Sequence, residues 1–361
     1  MCVVSESYMK SQNLRPIMVL FLLAPLIGGL LSGSPPPLQF FYPPNFLFFM
    51  ALYGGGALIA RELRRRWNKG IVSLLLLGAA YGVLQEGLIV GSIFQPGISE
   101  GVQASFYGRW MGVNWIWTEM LIMYHSVYSV AIPVLLVELA YPERKYESWF
   151  GNSGFKAVLA LWVSFLIIGY YSSFTAYGYV ITLPQLTFTL SLASVFLYLS
   201  YKIPRGWPRF GDNFLPDPAL FWILGAFGSF LFFLGFIFLP TFSPSWVLGM
   251  LFGPLLITLF GFLLRRYKWG VEDELHRLYL IGGALTFFMV FSPLLELSGS
   301  ATGMTIVGVS TLIGLLLFRR KLKKRIEERL MSEAVEEYPP EGYEELEEEY
   351  VISRERISSE K

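Results

Sequence analysis

The sequence predicts an all-α fold, a polytopic membrane bundle of about ten transmembrane helices with both termini cytoplasmic. Three observations predict it. Of the 361 residues, 54% are hydrophobic and only 15% charged, and the mean hydropathy is +0.51, a composition foreign to soluble domains. Apolar stretches near the ~20 residues that a ~30 Å hydrocarbon core requires recur along the chain. The basic residues then fall on alternate loops, as the retention of Lys and Arg on the cytoplasmic side demands.

The spans run in order along the chain. The first, 16–32, lies behind Lys10 and Arg15; its length and the absence of a small-residue cleavage site mark an uncleaved span rather than a leader. The second, 45–60, opens after FFYPP and closes on RELRRRWNK. The third, 71–94, ends at QPG, and the fourth, 113–140, is long and ends at YPERK. The fifth, 155–177, and the sixth, 184–201, are joined by an aromatic loop, and the sixth stops at KIPRGWPR. The seventh, 218–240, and the eighth, 246–264, flank PTFSPS, and the eighth closes on RRYK. The ninth, 277–297, starts after EDE, with its carboxylates favoured by the helix amino terminus, and the tenth, 302–318, runs into RRKLKKR.

With the amino terminus inside, 27 of the 28 Lys and Arg fall on the cytoplasmic side, and only Arg109 lies outside. A miscounted pair of spans would scramble this alternation, so the number of spans is even with both termini inside. The outer loops are short, proline-rich and aromatic, and Trp110, Trp115, Trp117, Tyr170, Tyr171, Tyr177 and Tyr179 sit where an interfacial belt belongs. The domain organisation is therefore a transmembrane bundle over 1–318, a basic-to-mixed cytoplasmic helix over 319–338 that continues the last span, and an acidic flexible cytoplasmic tail over 339–361. Localisation in the cell (inner) membrane follows from this reading.

A charged side chain inside the hydrocarbon costs at least about 2.5 kcal/mol, so each one is a functional candidate. Glu86, Glu119 and His125 lie within spans, with Glu296 near the outer end of the ninth as a secondary candidate and Glu138 at the inner end of the fourth. Gly78, Gly82 and Glu86 form one stripe at i, i+4, i+8, so another helix approaches closely and the carboxylate points toward protein. Gly87 and Gly91 repeat the spacing on a second side. Asn114, Thr118, His125 and Ser129 share one narrow sector of the fourth span, whereas Glu119 and Ser126 occupy another. Gln85, beside Glu86, completes the set of proton- or ion-binding candidates, which together predict a polar cavity in the outer half of the membrane and, with Glu100, an outward acidic vestibule.

A transporter or ion-coupled carrier is the leading functional expectation, with buried carboxylates exchanging protons or cations and a small molecule or ion as substrate. An intramembrane hydrolase using Glu86, Glu119 and His125 is the alternative. The nearest sequence pattern, that of the intramembrane CAAX-type proteases, fails at each element: Val90 stands where arginine would, Leu121 precedes His125 in place of phenylalanine, and Ser129 follows it in place of asparagine. A third reading is a noncatalytic membrane subunit or scaffold that docks a cytoplasmic partner through its carboxyl tail. No metal site or cofactor is expected, since Cys2 is the sole cysteine and no P-loop, nucleophile elbow or dinucleotide fingerprint occurs. The lipid bilayer is the expected partner, and nucleic acid is not.

Overall fold

The computed structural model describes residues 2–96, 106–270 and 273–337, with side chains described between residues 14 and 333. The expected tail at 339–361 and Glu100 lie outside the described residues. The architecture is an all-α bundle. The first helix, α1 (Cys2–Pro25), is extended by a π-helical turn, Leu26–Leu30. Eight helices among the described residues are long and apolar enough to cross a bilayer. They are α2 (Pro43–Arg66), α3 (Ile71–Val90), α4 (Trp115–Ala140), α5 (Asn152–Tyr177), α6 (Leu183–Lys202), α7 (Pro218–Phe242), α8 (Trp246–Arg265) and α9 (Glu274–Leu297).

Each of these eight coincides with an expected span. The first expected span falls in the shorter apolar stretch Leu14–Leu30, and the tenth in α10 (Met304–Glu337). The chain divides into two compact units, Met1–Ile313 and Gly314–Lys361. In the second unit the helix carries Lys323–Glu327 and Lys324–Glu328 pairs at i, i+4, an arrangement that supports a solvated helix.

Burial separates the centre of the bundle from its rim. α2, α3 and α4 bury 67%, 67% and 72% of their apolar windows within the protein, whereas α5, α6 and α8 bury 17% and turn leucine, valine and phenylalanine outward, as lipid-facing helices must. The central core joins Leu20 and Ala24 of α1, Leu52 and Ala57 of α2, Leu74 and Leu77 of α3, and Val130 and Val134 of α4. Trp162 of α5 closes it, its indole donating to the Leu52 carbonyl at 3.0 Å. A second, tight pairing holds α7 against α9, where backbone meets backbone at Gly225 and Gly283.

Two local features depart from an uninterrupted helical plan. α3 ends at Val90 rather than 94, because Gly91 adopts φ 74°, a left-handed conformation that stops the helix and turns the chain back. Before α4 lies a two-stranded hairpin, β1 (Arg109–Trp110) and β2 (Val113–Asn114). Met111 and Gly112 at its tip have φ 50° and 77°, the pair of positive φ values that a tight two-residue hairpin turn requires.

Candidate functional site

The glycine stripe of α3 faces α4. A Cβ on Gly78 would lie 2.7 Å from the Ser126 backbone, and one on Gly82 would lie 2.8 Å from His125 Cβ. Only glycine permits this approach, and one turn further along the same stripe stands Glu86. On its second side α3 meets α6 and the loop before it, with Gly87 against Thr189 and Gly91 against Tyr179.

Four π-helical turns converge here: Leu26–Leu30 after α1, Met50–Gly54 in α2, Gln85–Val90 in α3 and His125–Ala131 in α4. A π-turn inserts an extra residue into a helical repeat and re-aims the side chains beyond it, and such turns concentrate at functional sites. Their residues touch one another. Gly28 of the first lies against Ser129 of the fourth, and Tyr53 of the second meets Gln85 of the third.

At the centre His125 bridges two oxygen groups. Its Nε2 lies 3.0 Å from Glu86 Oε1 and its Nδ1 2.8 Å from Ser129 Oγ. Ser92, carried back by the turn at Gly91, donates its hydroxyl to Glu86 Oε2 at 2.6 Å. Gln85 Nε2 donates to the Tyr53 hydroxyl at 2.8 Å and reaches Glu86 Oε1 at 3.5 Å. The imidazole sits among three tyrosine rings, Tyr124, Tyr81 and Tyr53, at centroid distances of 5.1, 5.6 and 6.2 Å. Glu86 is 7% exposed and His125 1%, so the pair is sealed from solvent. Among the described residues the Tyr81 hydroxyl and Gln85 Oε1 have no hydrogen-bond partner.

Both His125 contacts are compatible with more than one placement of the protons. With Glu86 ionised and His125 neutral, Nε2–H donates to the carboxylate and Nδ1 accepts from the Ser129 hydroxyl. With the imidazole doubly protonated, Nδ1–H donates to Ser129 Oγ, whose hydroxyl rotates away. With the proton on Glu86 instead, the carboxyl donates to Nε2, and Nδ1–H again faces Ser129. A buried polar group is tolerated only while satisfied, and each of these arrangements keeps both imidazole nitrogens against an oxygen.

The chain beyond Glu86 covers this cluster. Ile93, Phe94, Val113 and Tyr179 form a small apolar cap. It is tied down by Asn114 N donating to the Ile93 carbonyl at 2.9 Å, Arg109 Nη1 to the Phe94 carbonyl at 2.7 Å, and the Tyr179 hydroxyl to the Gly87 carbonyl at 2.6 Å. Where an open vestibule is expected, Glu86 is buried, and the described residues 91–94 pack with Tyr179 as a lid beside it. Because α3 stops at Val90, the carboxylate lies about 6 Å below the helix end at 1.5 Å per residue, nearer the loops than a span to residue 94 would place it.

The remaining candidates take other positions. Asn114 caps α4, accepting from Trp117 N at 3.1 Å, and Thr118 donates to the Asn114 carbonyl at 2.6 Å; both are buried and serve the helix start. Glu119 leaves on another face of α4. It packs against Gly253 of α8 beside Met123 and takes a hydrogen bond from the Gly253 amide. Glu296 accepts from Gly303 N at 3.0 Å and Thr305 N at 2.8 Å, bracing the turn between α9 and α10. The fold thus brings together Glu86, Gln85, His125 and Ser129, and sends Glu119 and Glu296 elsewhere. It adds Ser92, Tyr53 and Tyr81, none singled out by spacing, since their proximity depends on the lid turn and on the pairing of α2 with α3.

Apolar helices packed around a buried carboxylate–imidazole–hydroxyl cluster define a multi-pass α-helical membrane protein with a polar centre. A family model described as "Uncharacterized membrane protein family" matches residues 18–292, and the chain belongs to that family. No curated protein and no solved structure matches it.

Proposed function

We propose that the protein is a proton-coupled transporter of the cell membrane, with both termini cytoplasmic, in which Glu86 and His125 carry the coupled proton. The observation that supports this most is the Glu86–His125–Ser129 arrangement, 3.0 and 2.8 Å between heavy atoms, buried beneath a lid. In this reading the lid over 91–94 and Tyr179 is the outer gate in its closed position, and the described conformation is an occluded one. Protonation changes the charge of the pair, and a buried charge change is what biases two conformations of a bundle. The basic-loop alternation supports the orientation, and the acidic tail is then available to a cytoplasmic partner.

The hydrolase reading has one superficial support, since a hydroxyl, an imidazole and a carboxylate stand in line. Ser129 Oγ, however, lies where a Cβ on Gly28 would be 2.7 Å away, packed against backbone that leaves no approach for a scissile carbonyl. Glu119, facing α8, cannot join Glu86 as a second carboxylate without a rearrangement of α4.

The test uses the full chain in liposomes loaded with a pH-reporting dye. Under an imposed pH gradient, monovalent cations, amino acids, sugars and nucleosides are offered in turn, and solute-dependent proton flux is followed. Flux with at least one class, abolished in Glu86→Gln and His125→Asn, is expected. A folded Glu86→Gln protein with undiminished flux would overturn the proposal.

A further inference from the structure

At the end of the bundle opposite the lid, the bases of RELRRR do not form a loop. They are the last turns of α2, and Arg61, Glu62 and Arg64 are buried. Glu138 of α4 meets three guanidinium groups at once: Arg64 at 3.2 Å, Arg61 at 3.8 Å, and Arg65 in closest contact. Arg61 is further held by the carbonyls of Arg144 and Lys145 and lies over Trp149, 3.6 Å from the ring centre. Glu62 pairs with Arg61 at 3.5 Å and Arg66 at 3.0 Å, so four guanidinium groups share two carboxylates and leave positive charge in excess in a region largely removed from water.

Beside this network lies a cavity of about 340 Å³. Its charged wall holds Arg64, Arg65, Lys145 and Arg277 against Glu138 and Glu274, four cations facing two carboxylates. The groups just behind the wall do not change the balance, since Arg61 and Arg66 add two positive charges, while Glu62, which pairs with both, and Asp273, paired with Arg277 at 2.9 Å, add two negative. The other wall is apolar, with Ile71, Leu135, Leu264, Leu280, Phe210 and Trp269 drawn from four helices and two loops. The volume is within the range of ligand sites and far exceeds the ~30 Å³ share of one water.

From this pairing of walls we infer a binding site for an anionic phosphate-bearing lipid, its headgroup on the Arg64, Arg65, Lys145 and Arg277 wall and its first acyl methylenes along Leu135, Leu280 and Trp269. A phosphate monoester carries about −1.5 to −2 charges at neutral pH, the excess the wall presents, and arginine engages phosphate oxygens two at a time. The site lies at the level of the basic helix ends, where headgroups of the cytoplasmic leaflet stand, and basic pockets between helices at that depth select anionic lipids. A free anion would use the charged wall and leave the apolar one without purpose.

The experiment takes the delipidated full chain in detergent and adds dioleoyl phosphatidic acid, dioleoylglycerol, dioleoyl phosphatidylcholine or inorganic phosphate, with native mass spectrometry and thermal melting as readouts. Phosphatidic acid is expected to be retained and to raise the melting temperature more than the other three. Lys145→Glu, which lies outside the Glu138 ion pairs, and Leu280→Trp, which fills the apolar side without changing charge, are each expected to weaken retention about tenfold, equivalent to about 1.4 kcal/mol. Lys145→Ala serves where the charge reversal fails to fold. Equal retention of dioleoylglycerol or phosphatidylcholine, stabilisation by inorganic phosphate equal to that by phosphatidic acid, or undiminished binding in both folded variants would overturn the inference.

Discussion

Gly82→Ala isolates the contact on which the site depends. The added methyl would stand 2.8 Å from His125 Cβ and 3.1 Å from Cγ and Cδ2 of the same ring, where carbon pairs prefer about 3.5 Å or more. α3 and α4 must therefore part by about 0.7 Å at this level, or the imidazole must move. Either response lengthens the 3.0 Å Nε2–Oε1 contact toward the limit of hydrogen bonding. Overpacking of this kind costs about 1–3 kcal/mol, and loss of a charge-assisted hydrogen bond about 1.5–3 kcal/mol. The better helix propensity of alanine returns about 1 kcal/mol. A net loss of about 2 kcal/mol or more is expected. Gly261→Ala in α8, where an added Cβ meets nothing within 4 Å, keeps the propensity gain of up to about 1 kcal/mol without the clash. Denaturant titration in detergent compares the two. Gly82→Ala as stable as the wild type would refute the close packing of α3 on His125.

Glu138→Ala leaves Arg61, Arg64 and Arg65 without their shared carboxylate and is expected to destabilise the fold by about 3–5 kcal/mol in the same titration; a loss below about 1 kcal/mol would contradict the network. Ser92→Ala removes the 2.6 Å bond to Glu86, and its effect should shrink in a Glu86→Gln background, a coupling that a double-mutant cycle measures and that independent sites would lack. Asn114→Ala removes the α4 cap and should cost about 1 kcal/mol while leaving proton-linked flux intact, so loss of flux in a folded variant would assign Asn114 more than a capping role.

Much of this fold is legible from the chain because lipid imposes one strong constraint, the length of an apolar segment. The stripe Gly78–Gly82–Glu86 points to its partner helix for a local reason, since i, i+4 spacing fixes a common face. Contacts that depend on irregular backbone are less legible. The third span shortens at Gly91 because one left-handed residue reverses the chain, and that reversal supplies Ser92. Four π-turns re-aim Tyr53, Glu86, His125 and Ser129 in ways a uniform 100° wheel cannot represent. Glu119 lies on the sector of α4 already distinct from His125, and its partner is α8, a helix remote in sequence. Arg61 reads as a loop base by composition, yet Trp149 and Glu138 draw it into the packed end of α2.

Glu86 and His125 meet across a buried 3.0 Å contact, where the proposed function has them share a proton. The chain has only two histidines, so a ¹⁵N-histidine-labelled His276→Gln protein reports His125 alone by nuclear magnetic resonance. If the pair shares the proton, Glu86→Gln shifts the Nε2 resonance and changes its response to pH, while Glu119→Gln leaves both as in the wild type. Identical His125 spectra in the wild type and Glu86→Gln would contradict it.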